Sequence, residues 1–211
     1  MSLQRNLMLT CGAALVAGGV LLALGWFAIP VVAWDAITSE DYIRMVLNPY
    51  WVAINTAILL AQFLLLIGVV GLYLAQASET GRWGLVGFVS LLVGMAAYAS
   101  IQFFETYLWP VIARDAPVLF ATVGIPMEDP VLRAVFLLSG LPWGIGFLLL
   151  GITTMRSAAL PRWAGIAFLV GGLLFGLGIA IPLRSLGVLV LGASVVRLGF
   201  SLWQAGWQEA Q

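Results

Sequence analysis

The stretch WVAINTAILLAQFLLLIGVVGLYLA, residues 51–75, runs for 25 residues without a charge. As a helix rising 1.5 Å per residue it is long enough to cross a hydrocarbon core about 30 Å thick. In lipid every backbone N–H and C=O must be satisfied internally, so a run this long and unbroken is a helix and not a barrel strand. Five further stretches are also long and apolar enough to qualify, at 7–30, 83–108, 132–154, 162–181 and 185–204. The reading is an all-α, polytopic transmembrane bundle of about six helices, a single membrane domain over 1–211.

Composition supports this. Hydrophobic residues make up 63% of the chain and charged residues 9%, with a mean hydropathy of +1.09. A water-soluble globule is nearer 45–50% apolar and about 25% charged. Residues 1–25 resemble a signal peptide, with Arg5 ahead of an apolar run. The run continues through Trp26, Phe27 and Ile29 without a small-x-small cleavage site, so it is expected to remain as the first helix.

The connections fall into two classes. Those at 77–82, 156–161 and 182–184 are short, whereas 31–50 and 109–131 are about 20 residues each. By alternation both long loops lie on one membrane face. The first is expected to hold a short interfacial helix, with Thr38 and Asp41 at capping-box spacing. The second, with Pro110, Pro117, Pro126 and Pro130, is expected to be irregular with short helical pieces. Asn48-Pro49 and Asp129-Pro130 read as start signals for the second and fourth helices.

Eighty residues separate Gly71 from Gly151, Arg82 from Arg162, Trp83 from Trp163 and Phe88 from Phe168. Helices 2–3 and 4–5 therefore read as related hairpins, and a two-helix unit keeps its orientation, which makes the repeat parallel. Trp34, Trp51, Trp83, Trp109, Trp163, Trp203 and Trp207 fall near helix ends, where indole anchors at the headgroups.

The absences limit the chemistry. Without His, imidazole base catalysis, His-ligated haem and His-ligated metal are excluded within the chain. Without Lys there is no Schiff base for retinal or pyridoxal phosphate. No cofactor is expected. The lone Cys11 reads as a small core residue, and a net charge of zero gives no reason to expect nucleic acid.

Polar residues at membrane depth are costly and point to function by default. Tyr98, Gln102, Glu105 and Trp109 share an arc of about 60° on the third helix, and Gly87 and Gly94 extend the stripe. Asn55 and Gln62, seven apart, share a face of the second helix, and Arg133 opens the fourth. The candidate ligand site is a pocket between helices two, three and four lined by Asn55, Gln62, Tyr98, Gln102 and Glu105, with Arg133 near the same face. The structural alternative is a Glu105–Arg133 ion pair with interhelical amide bonds. Pro142 is expected to kink the fourth helix, and Arg197 to snorkel from the sixth.

The segment Leu160-Pro161-Arg162-Trp163-Ala164-Gly165 resembles a helical hairpin of uncharacterised multi-pass bacterial membrane proteins. That resemblance implies a bacterial cytoplasmic membrane and no particular activity. The N-terminus is expected on the cytoplasmic side, because the acidic residues concentrate in the two long loops. The expected function is non-enzymatic: an accessory subunit of a membrane assembly, a homo-oligomer or a binder of a lipid or apolar ligand. A small carrier or channel using the Glu105 face is the alternative, and a lipid-directed membrane enzyme ranks below both.

Overall fold

A computed structural model describes residues 3–33, 39–119, 130–177 and 181–208. The described residues form helices: α1 (Leu3–Ala33), α2 (Ser39–Val46), α3 (Trp51–Phe103), α4 (Trp109–Asp115), α5 (Pro130–Arg156), α6 (Arg162–Leu177) and α7 (Ile181–Gln208). A π-helical turn, Phe104–Leu108, joins α3 to α4. Helices long and apolar enough to cross a membrane lie in α1, α3, α5 and α7, and α6 is a shorter apolar helix.

α3 makes two passes. Its backbone breaks at Gly81, with φ 52° and ψ −146°, a conformation that a Cβ would strain. Beyond the break the chain runs back along itself. Tyr73 stacks on Phe88 at 4.5 Å, Gln102 bonds Asn55 at 2.8 Å, and the Trp51 indole bonds the Glu105 carbonyl at 3.1 Å. The limbs 51–80 and 82–103 are thus an antiparallel hairpin, and the described residues form six long helical limbs.

Neighbouring passes meet in matching descending register. Gly87 lies against Leu149 and Leu150, Leu91 against Gly146 and Gly94 against Trp143, so the second limb of α3 is antiparallel to α5. Gly151 meets Leu169 and Gly172 meets Phe147, pairing α5 with α6, and Gly171 meets Leu191, pairing α6 with α7. α7 returns to α1, with Gly199 against Gly12, Gly192 against Gly19 and Gly206 against Leu9. Gly18 against Ala61 and Gly68 against Leu15 complete the circuit to the first limb of α3. The result is a closed ring of six antiparallel passes.

Side chains from all six passes fill the axis. Leu15, Leu65, Val69, Leu91, Met95, Trp143, Phe147, Phe168, Leu191 and Val195 surround an apolar void of about 10 Å³. That volume is at the lower limit for one water molecule. Large apolar residues such as Phe27, Phe63, Leu138 and Leu189 are exposed around the outside, as a lipid environment would require.

At the loop-bearing end, α2 and α4 close over the start of α3. Met45, Val46, Trp51, Trp109 and Ala113 form a second core there, with Tyr42 edge-on to Trp109 at 5.0 Å. Trp51 and Trp109 are therefore buried, 5% and 7% exposed, and are not headgroup anchors as expected. Trp83, Trp163 and Trp207 remain exposed near helix ends. Asn48 opens a turn and not the helix itself: its Oδ1 accepts from the Tyr50 N–H at 3.0 Å, and α3 begins at Trp51. Thr38 and Asp129 lie outside the described residues. The eighty-residue spacing is only partly reflected in packing. Trp83 and Trp163 take equivalent exposed places, but Gly71 packs on Cys11 while Gly151 packs on Leu169.

Candidate functional site

Asn55 and Gln102 meet across the α3 hairpin. The Gln102 amide donates to Asn55 Oδ1 at 2.8 Å, and Asn55 Nδ2 donates to the Trp51 carbonyl at 2.9 Å. Thr106 Oγ1 donates to the Gln102 carbonyl at 2.5 Å. Asn55, Gln102 and Thr106 are buried, 2%, 3% and 0% exposed. The Gln102–Asn55 bond ties one limb of the hairpin to the other, and the other two are local to their own helices. The two amides are left with partners, which is a structural use of both residues.

Glu105 sits in the π-helical turn, where the Trp109 N–H reaches the Phe104 carbonyl five residues back. The cause is local. Pro110 has no N–H to give, and its ring crowds the carbonyl four residues earlier, so the helix widens to pass it. Glu105 is half-buried. Its charge is felt by Tyr42 of α2, whose phenol pKa is raised above the usual tyrosine value, first by burial and then by Glu105. Among the described residues its carboxylate makes no ion pair within 4.0 Å. The expected partner, the Arg133 side chain, lies outside the described residues.

Tyr98 leads to a residue that sequence reasoning left in a surface connection. Arg184, in the first turn of α7, turns its guanidinium inward, and Nη2 donates to the Tyr98 hydroxyl at 3.1 Å. The guanidinium carbon lies 4.4 Å from the Trp26 ring centroid and 5.1 Å from that of Phe175. Phe175 in turn is edge-on to Trp26 at 5.1 Å, and Trp143 packs on Tyr98 at 5.2 Å and on Phe175 at 5.5 Å. One cation thus occupies an aromatic cage built from α1, α3, α5, α6 and α7, inside the ring and towards its loop-bearing end. Arg184 and Glu105 interact electrostatically without touching. Cation–π contacts of this kind are worth about 2 kcal/mol when desolvated.

Several donors in this region have no partner among the described residues. Arg184 Nε, Trp26 Nε1 and Trp143 Nε1 are all buried and unbonded. Gln62, 1% exposed, has neither its amide nitrogen nor its oxygen bonded. Gln62 is one turn from Ile58, which packs on Gly25, and one turn from Leu65, which lines the axial void with Trp143. A buried polar group left unpaired costs about 1–3 kcal/mol.

The candidate residues are therefore divided by the fold. Asn55 and Gln102 bond to each other, Tyr98 bonds Arg184, Glu105 lies beyond ion-pair distance of Arg184, and the buried Gln62 amide has no partner among the described residues. The partner of Tyr98 comes from α7, and the aromatic cage around it draws on α1, α5 and α6 as well. Pro142 stands one residue before Trp143 within α5. Arg197 is half-buried and bonds Ser201 on its own helix at 3.0 Å. No protein-family model, curated protein or solved structure matches this chain.

Proposed function

We propose that this chain is a non-enzymatic membrane-embedded binding protein that takes up a lipid or similar apolar ligand at the loop-bearing end of the helical ring. The observation that carries the reading is Arg184, a cation held inside an aromatic cage with one donor engaged by Tyr98 and another unpartnered. Fixing a charge inside a bundle is costly unless it is paired or has a use, and aromatic walls with a few convergent polar groups are the usual lining of a ligand site. Among non-enzymatic roles, this favours ligand binding over a purely accessory subunit. The reading includes a bacterial cytoplasmic membrane with the N-terminus inside. The arginines are shared equally, with Arg5, Arg82, Arg156 and Arg162 at one end and Arg44, Arg114, Arg133 and Arg184 at the loop-bearing end. The support is therefore the concentration of Glu40, Asp41 and Asp115 at the loop-bearing end and the tight connections at the other.

A small carrier is the second reading. Gln62 favours it, since a buried, unbonded amide on the first limb of α3 would suit a polar path through the ring. Native mass spectrometry of the detergent-purified chain, after delipidation and exposure to a total bacterial lipid extract, tests the first. One adduct per chain that survives collisional activation is expected, and adducts only in a featureless low-energy distribution would contradict it. Proteoliposome flux lowered by Gln62→Leu would move the conclusion to the carrier.

A further inference from the structure

The unpartnered atoms of the cage have a common sign. Arg and Trp side chains are hydrogen-bond donors with no acceptor atom. Arg184 Nε, Trp26 Nε1 and Trp143 Nε1 therefore all call for an acceptor, from three different helices. Trp26 and Trp143 are 8% and 5% exposed, and the three groups are linked through Phe175 and Tyr98 at ring separations of 5.1–5.6 Å. The Tyr98 hydroxyl is engaged by Nη2 of the same guanidinium, and the Glu105 carboxylate lies beyond ion-pair distance of Arg184. The local balance is one positive charge with surplus N–H groups.

We infer that the bound ligand ends in an anionic acceptor group, a carboxylate or phosphate, received by the N–H donors of Arg184, Trp26 and Trp143 inside the aromatic cage. The inference rests on the ligand-binding reading above and specifies its polar end. A guanidinium presents a planar fork that suits an oxyanion, and indole N–H groups add direction without adding charge. The aromatic walls of Trp26, Trp143 and Phe175 would enclose the first carbons of an attached chain. Glu105 then works against binding, since its charge opposes that of the incoming group. The same chemistry would accept the headgroup of a single-chain amphiphile or a free inorganic anion.

The test uses the full chain in neutral detergent and equilibrium binding of radiolabelled oleate, with oleyl alcohol and inorganic phosphate as competitors. Oleate is expected to bind once per chain, and oleyl alcohol about tenfold or more weakly, the loss of one charge-assisted bond. Trp26→Phe and Trp143→Phe keep the rings and remove only the N–H groups. Each should weaken oleate severalfold and oleyl alcohol less, since a neutral hydroxyl is the weaker acceptor. Glu105→Gln should tighten oleate, a direction that a merely structural Glu105 would not give. Displacement of oleate by millimolar phosphate would support the anion site with a free anion as its source, and no displacement would support an amphiphile headgroup. Equal binding of oleate and oleyl alcohol, or indifference to both Trp variants, would overturn the anionic headgroup while leaving an apolar-ligand protein standing. Failure of oleate, oleyl alcohol and phosphate alike to bind would overturn both.

Discussion

Gly146→Ala tests the helix packing that builds the ring. A Cβ at Gly146 would stand 2.5 Å from both Cα and N of Leu91 on the facing limb of α3. Ordinary carbon contacts lie near 3.5–4.0 Å, so the two backbones must part by about 1 Å. Neither obstacle is a side-chain tip that can swing away. Overpacking of this kind costs about 1–3 kcal/mol, and the gain from replacing a helical glycine with alanine offsets about 0.5–1 kcal/mol of it. A net loss of about 1–2 kcal/mol is expected. Gly140 and Gly144 are on the same helix with nothing within 4 Å of a built Cβ. Their alanine variants should be neutral or up to about 1 kcal/mol more stable. Reversible unfolding in mixed micelles with increasing dodecyl sulfate would measure all three. Wild-type stability in Gly146→Ala, or equal losses at Gly140 and Gly146, would refute the close crossing of α3 and α5.

Three other perturbations address separate features. A double-mutant cycle of Asn55→Leu and Gln102→Leu should give a coupling of about 0.6–1.7 kcal/mol in micelle unfolding, the range of interhelical bonds in membranes; zero coupling would remove the bond from the hairpin. Gly81→Ala should cost about 1–3 kcal/mol from backbone strain alone, because a Cβ there meets nothing within 4 Å and only the positive φ resists it. Tyr42 has a folded pKa raised above its unfolded value of about 10, so the folded state holds that proton more tightly. Its contribution is present below pH 10 and is lost as pH rises further. Thermal stability should fall more steeply above pH 10 in the wild type than in Tyr42→Phe, and parallel profiles would contradict the burial of this phenol.

Much of the architecture is legible in the chain because length and apolarity act locally. An uncharged run such as 51–75 specifies a membrane helix whatever surrounds it. The bend at Gly81 was legible as a short connection, although not as a single glycine in a left-handed conformation. The π-helical turn was not, because it arises from competition between Pro110 and a helix that packing holds in place through Trp109 and Ala113. At the site, helical spacing grouped Tyr98, Gln102 and Glu105 on one face but could not choose their partners. Arg184 follows Pro182 in a short connection and reads as a surface charge. Only the return of α7 against α1 brings it over Trp26. One signal was available: Trp26 and Trp143 are the two tryptophans away from the helix ends, and both line the cage.

Closure of the ring by α1 and α7 is the claim on which the cage depends, since it sets Trp26 and Arg184 side by side. A Cβ built on Gly192 lies 3.1 Å from the Cβ of Ala23, close to disulfide range. In a Cys11→Ser background, the pair Ala23→Cys and Gly192→Cys should oxidise within one chain in native membranes, giving a reducible mobility shift. The pair Ala23→Cys and Gly140→Cys should not. An absent crosslink at 23 and 192, or one formed only between chains, would contradict the closed ring.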